Sequence, residues 1–228
     1  SPQATHLPAR ACADRLAALA GCPLDSLSAA GDLPVKSLSP ETVAIPNWNA
    51  DGLLPPIQAS QPVGASRSPY PVSLLEVVQR YGSTTARRQI LQGLLRYRQA
   101  LQQIGLAHGF QWLDGSFCEH VESIENRAPR DIDVVTFYRL PVGSTQADLV
   151  RVNPDLFRQQ QTKQEYAVDG YLVDLGSPAE SLVASASYWY GVWSHRRDQR
   201  WKGFLQVELA DPTEAAAREW IARSGDHP

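Results

Sequence analysis

The chain has no methionine, only three cysteines in 228 residues, a formal charge of just -3, and no apolar run long enough to cross a bilayer. Each shortage removes a class of function. Cys12, Cys22 and Cys118 are odd in number and lack paired-ligand spacing, so neither a disulfide framework nor a structural zinc site is indicated, and a reducing, cytoplasmic setting fits best. Cys118 reads as a small buried side chain, the commoner use of cysteine, before it reads as a reactive thiol. A small net charge made of interspersed acids and bases provides no global steering toward a polynucleotide, which disfavours a long nucleic-acid substrate. Ala11 to Ala20 is interrupted by Asp14 and Arg15 and makes a poor secretory core, so no membrane partner is expected. A chain that starts at Ser1 without any methionine is expected to be a processed or trimmed product.

What remains is enough for one substantial core. The organisation expected is an N-terminal arm over residues 1–71 and a main domain over 72–228. Within the arm, Pro8 to Ala20 has the pattern of one short helix. Pro23 to Pro71 is rich in proline, serine and glycine, and either wraps the main domain through Ile45, Trp48, Leu53 and Leu54 or remains a tail. From Leu74 the pattern turns helical. The clearest helix spans about Thr84 to Ile104, with Ile90, Leu94, Tyr97, Leu101 and Ile104 on one face and Gly105 to end it. Arg87, Arg88, Arg96 and Arg98 occupy its other side, expected to be a solvated basic face.

The richest segment is Leu113-Asp114-Gly115-Ser116, followed after fourteen intervening residues by Asp131-Ile132-Asp133. Phe110 to Leu113 reads as a strand and Phe117 to Ile124 as a short helix, placing Gly115 and Ser116 at a turn where free amides and the serine hydroxyl can meet phosphate oxygens. Asp131 to Tyr138 is rich in β-branched and aromatic residues and reads as a strand, so Asp131 and Asp133 share a face while Ile132 and Val134 point to the core. Two like charges so close call for a cation, and magnesium, a hard ion that accepts carboxylates together with phosphates, is the natural candidate. A third acid, Asp174, stands in the apolar run Tyr171 to Leu175, where it must be paired, exposed or metal-bound. The second Gly-Ser, Gly176-Ser177-Pro178, is better explained as a helix start, with Ser177 as N-cap and Glu180 closing a capping box.

Further on, helices are expected near Thr145 to Val152, Pro154 to Gln164 and Ala179 to Val192, the last ending in Tyr188, Trp189, Tyr190 and Trp193, aromatics that more often pack than stack on a base. The cationic stretch Ser194 to Gly203 follows directly. There Arg197 and Arg200 are candidates to fork onto phosphate oxygens and Lys202 to act as a point charge, while His195 carries little information. A strand, Phe204 to Leu209, and a closing helix, Pro212 to Arg223, complete the pattern.

Gly115-Ser116, then Asp131-Ile132-Asp133, then a lone Asp174 on a later strand resembles the nucleotidyltransferase superfamily related to DNA polymerase beta. Arg130, directly before the paired acids, is similar to the minimal nucleotidyltransferases, some of which serve as antitoxins. Trp112-Leu113-Asp114-Gly115-Ser116 and Trp201-Lys202-Gly203 resemble phrases of an uncharacterised bacterial branch. The superfamily motifs span Gly115 to Leu175 and the looser branch likeness Ile45 to Leu209. The connection from Ser116 to Asp131 is longer than in the minimal members, so a differently shaped pocket is expected. The resemblance implies an α+β fold with a mixed β-sheet flanked by helices. It also implies two Mg2+ or Mn2+ ions held by Asp131, Asp133 and Asp174, and a nucleoside triphosphate against Gly115, Ser116 and Arg130. Asp174 would orient or deprotonate an acceptor hydroxyl on a protein, a tRNA or a small molecule. The alternative it leaves open is a non-catalytic module of the same fold, such as an antitoxin or defence-system component. A third reading is an RNA-binding protein using Arg87 to Arg98 and His195 to Lys202, with affinity falling steeply with salt.

Overall fold

The computed structural model describes residues 42–60, 62–64 and 66–224. The expected helix Pro8 to Ala20, with Cys12 and Cys22, lies outside them. The described order is β1 (Tyr70–Pro71), α1 (Leu74–Tyr81), α2 (Thr85–Gln103), β2 (Gly109–Asp114), a 3-10 turn (Ser116–Cys118), α3 (Val121–Ile124) and β3 (Ile132–Tyr138). After these come α4 (Gln146–Val152), a 3-10 turn (Pro154–Phe157), α5 (Gln159–Tyr166), β4 (Val168–Asp174), α6 (Ala179–Trp193), β5 (Leu205–Glu208) and α7 (Glu214–Ser224). The fold is α+β. Its five strands form one mixed sheet in the order β1-β5-β2-β3-β4, with β2 antiparallel to both neighbours and the pairs β1–β5 and β3–β4 parallel.

Local chemistry accounts for the helix starts. Ser73 Oγ accepts the Glu76 amide at α1, and Thr84 Oγ1 accepts the Arg87 amide at α2, each satisfying an otherwise orphaned donor. The apolar stripe of α2 is buried through Ile90, Leu94, Tyr97 and Leu101 against one sheet face, where Leu113, Ile132, Val134 and Tyr138 meet it. The other face carries a smaller aromatic cluster of Trp112, Val135, Phe137, Trp193 and Phe204, with Tyr171 and Trp189 packed against it. Strand alternation therefore sends odd-numbered residues of β3 and β4 toward α6 and even-numbered ones toward the main core.

Three expectations change. Arg87 and Arg98 are buried, not solvated. Arg87 forks onto Glu122 at 2.6 and 2.9 Å and donates to the Phe117 and Glu119 carbonyls, while Arg98 reaches Gln111, Glu214 and the carbonyls of Glu208 and Leu209. Guanidinium groups tolerate burial when their donors find acceptors, and here every guanidinium nitrogen has one. The expected helix Phe117 to Ile124 is broken at Glu119 and His120 into a 3-10 turn and one turn of α3. Ser177 makes no cap bond; Pro178 occupies the N-cap position and the Ser177 amide donates to the Asp174 carbonyl.

The described part of the arm wraps. The Val43 amide donates to the Pro71 carbonyl and the Ile45 amide to Glu76 Oε1, and Leu53 and Leu54 are fully buried. Trp48 donates to the Cys118 carbonyl at 2.8 Å, and its ring meets the Arg80 guanidinium at 4.1 Å and the His120 ring at 4.4 Å. Cys118 is buried and its thiol is pushed up by that burial, as its reading as a packing residue requires. No helix among the described residues is long and apolar enough to cross a membrane.

Candidate functional site

The sheet register builds a row of acids. Asp114 ends β2 directly opposite Asp133 on β3, and Asp133 lies beside Asp169 on β4, so three carboxylates cross three adjacent strands on one face. Asp131, two residues before Asp133, joins the same side. All four line one cleft of about 740 Å³, into which Gly115, Ser116 and Lys163 also open.

Asp174, expected as the third ligand, is not brought to this group. Strand β4 starts at Val168, three residues earlier than the sequence suggests, so Asp174 is its last residue. It pairs in register with Tyr138, five positions beyond Asp169, about 16 Å along the strand and on the opposite face by parity. Its Oδ1 accepts the Gly176 amide at 2.8 Å, the role of a turn former. Asp169, and not Asp174, is the acid of β4 that stands beside Asp133. Its neighbour Gly170 makes the pair look like a turn, which hides the strand; the only sequence signal was the alternation running back from Val173 through Tyr171 to Asp169.

Two lysines flank the row. Lys202 lies at one end, its Nζ 2.9 Å from Asp114 and 3.1 Å from Glu119. Lys163, from α5, lies at the other, its Nζ 2.7 Å from Asp131 Oδ2 and 3.2 Å from Asp169 Oδ2. Asp133 sits between them and forms no ion pair among the described residues. The consequences are electrostatic. Burial first, then the charges of Asp131 and Asp169, push the Asp133 carboxyl up to about 6. Burial pushes Asp114 up to about 7 against the pull of Lys202. Burial alone would discharge Lys202, but Asp114 and Glu119 outweigh it and hold the ammonium charged. Lys163 is likewise held charged, chiefly by its bond to Asp131.

Lys202 is therefore not the free point charge that the cationic stretch suggested. The segment 194–202 folds back on itself, with the Lys202 amide donating to the Ser194 carbonyl and Arg196 to that of Arg200, and this tucks Lys202 inward at 5% exposure. Arg196 braces the same network through Glu119 at 2.8 Å and Glu125 at 2.7 Å. Arg200 pairs with Asp198 and Asp51 and does not line the cleft. Arg130 and Arg197 do line it, are exposed, and form no ion pair among the described residues. They are the cations positioned to meet an anionic ligand.

The Gly115 turn is built around Asp133. Gly115 has φ 82° and ψ -169°, a region open essentially to glycine alone, and a Cβ there would lie 2.7 Å from Asp133 Oδ2. Backbone and carboxylate can approach only because the side chain is missing. Gly115→Ala is expected to cost about 1–3 kcal/mol, the usual range for a strained backbone residue, read by chemical denaturation. Unchanged stability would show that the turn relaxes freely.

The donor set is all carboxylate oxygen, which suits a hard divalent cation such as Mg2+ or Mn2+. As the side chains stand, no three acid, histidine or cysteine groups among the described residues converge closely enough to hold one ion. Asp131 and Asp169 converge on the Lys163 ammonium instead.

Residues 46–208 match a family described as a family of unknown function (DUF6932), and the chain belongs to that family. No curated protein and no solved structure matches.

Proposed function

We propose that this DUF6932 member is a metal-dependent nucleotidyltransferase that moves a nucleoside monophosphate from a nucleoside triphosphate to an acceptor hydroxyl. The observation that carries the reading is the row Asp114–Asp133–Asp169, with Asp131 beside it, meeting in one cleft a glycine turn and two arginines that form no ion pair among the described residues. A mixed sheet with an acid pair at the start of a central strand and a Gly-Ser turn beside it is also what a nucleotidyltransferase fold requires.

In this reading Asp131, Asp133 and Asp169 hold the divalent cations, whose chemistry is to offset charge on the phosphates and the departing pyrophosphate. Arg130 and Arg197 bind the triphosphate oxygens from the rim. The Gly115–Ser116 turn brings backbone amides and the serine hydroxyl to the phosphates without a side chain in the way. Asp169, in place of Asp174, orients the acceptor hydroxyl and takes its proton as the oxygen attacks the α-phosphorus and the bond to pyrophosphate breaks. Asp114 and Lys202 do not touch substrate; they position the turn from beneath.

The test needs no knowledge of the acceptor. Thermal unfolding is followed with each of the four nucleoside triphosphates, with and without Mg2+ or Mn2+, for the wild type and for Asp131→Asn/Asp133→Asn. A ligand of the folded state raises the melting temperature. The expected result is a metal-dependent rise that the double variant loses. No shift with any nucleotide would overturn the proposal in favour of a non-catalytic binding module. One observation supports that second reading: α6 leaves Val183 and Tyr188 exposed, apolar side chains that do not line the cleft.

A further inference from the structure

The Lys163 bridge has features of an exchangeable contact. Its ammonium bonds Oδ2 of Asp131 and Oδ2 of Asp169, the acids that flank Asp133. The burial is lopsided, since the two acids are 19% and 14% exposed while the lysine side chain is 50% exposed. The acids are part of the cleft floor, and the lysine reaches over them from the solvent side. Swinging the lysine away returns a half-exposed ammonium to solvent and leaves Asp131 and Asp169 without that partner.

The helix that carries it is anchored independently of the ammonium. Thr162 is buried, Tyr166 packs on the main core against Tyr97, Arg96 of α2 donates to the Glu165 carbonyl, and Gln159 bonds Asp169 and the Tyr171 hydroxyl. Removal of the Lys163 charge therefore leaves α5 in place. A second cation on the same two oxygens would face the ammonium at a few ångströms, where like charges cannot both stay.

Resting on the functional reading above, we infer that Lys163 is a displaceable counter-ion, which holds Asp131 and Asp169 together until a divalent cation takes their oxygens. Cation binding is then an exchange. The ion must break two ion pairs to enter, and the released ammonium, still on the cleft wall, becomes a third cation for an anionic ligand alongside Arg130 and Arg197. The site is thereby tuned against taking up a cation alone and toward taking it up together with phosphate.

The test is Mn2+ binding to the full chain, followed by the electron paramagnetic resonance signal of free Mn2+, for wild type, Lys163→Met and Asp133→Asn. Exposed ion pairs are individually weak, so loss of two competing ones is expected to tighten Mn2+ binding about three- to tenfold in Lys163→Met. Lys163→Met without Mn2+ should melt below the wild type and recover when Mn2+ is added, because the ion restores the missing positive charge. Equal or weaker binding by Lys163→Met overturns the exchange while leaving the acid site intact, provided Asp133→Asn weakens binding. No Mn2+ binding by either wild type or Lys163→Met overturns both the exchange and the metal-dependent reading.

Discussion

Replacing Lys202 with methionine is expected to cost the fold about 3–5 kcal/mol, the usual penalty for removing one partner of a buried ion pair. The ammonium lies between Asp114 and Glu119 at 2.9 and 3.1 Å and is almost fully enclosed. Methionine fills the space of the stem but strands the Asp114 carboxylate, which has no other ion-pair partner among the described residues. Glu119 keeps Arg196. The strain therefore falls on Asp114, and adding Asp114→Asn to Lys202→Met is expected to restore most of the loss. Denaturant unfolding of both single variants and the double variant forms a cycle that isolates the coupling. A cost below about 1 kcal/mol for Lys202→Met would show that the charge is not buried as described.

The second large effect has the opposite sign. Asp133→Asn is expected to stabilise the cation-free protein at pH 8 by about 2–3 kcal/mol, at about 1.4 kcal/mol for each pH unit by which the carboxyl is displaced. The Asp133 carboxyl is raised from 3.8 to about 6 in the fold, so between those values the folded protein binds more protons than the unfolded chain. The contribution of Asp133 to wild-type stability then falls as pH rises through that window and levels off above it. The asparagine variant lacks this loss. The two proteins should be nearly equal at pH 4 and separate progressively up to about pH 6.5. A less stable Asp133→Asn at pH 8 would sink the argument. In the proposed reading a bound cation offsets this charge.

Much of the frame was legible because it rests on short-range patterns. The helix of Ile90, Leu94, Tyr97 and Leu101 follows from spacing and a Thr84 cap, and the shared face of Asp131 and Asp133 follows from strand alternation. The arm anchors Trp48, Leu53 and Leu54 were readable as apolar residues in a polar stretch. The failures that matter for the site were long-range. Arg87 and Arg98 look like surface residues because their acceptors stand 13 to 116 residues away. Lys202 looks free for the same reason, its partner Asp114 being 88 residues distant. That Asp169 and not Asp174 lies beside Asp133 depends on where β4 pairs with β3, and a parallel pair joined through α4 and α5 leaves no local trace of its register.

The sequence by itself determined most of the elements, the paired acids and the glycine turn, because backbone geometry and side-chain period act within a few residues. Only the tertiary structure decided which acids meet. The register of three strands aligned Asp114, Asp133 and Asp169, and the fold brought Lys202 and Lys163 to the two ends of the row. Those placements depend on which strands pair and which helices cover them, and that is settled by burial of the whole core rather than by any segment alone.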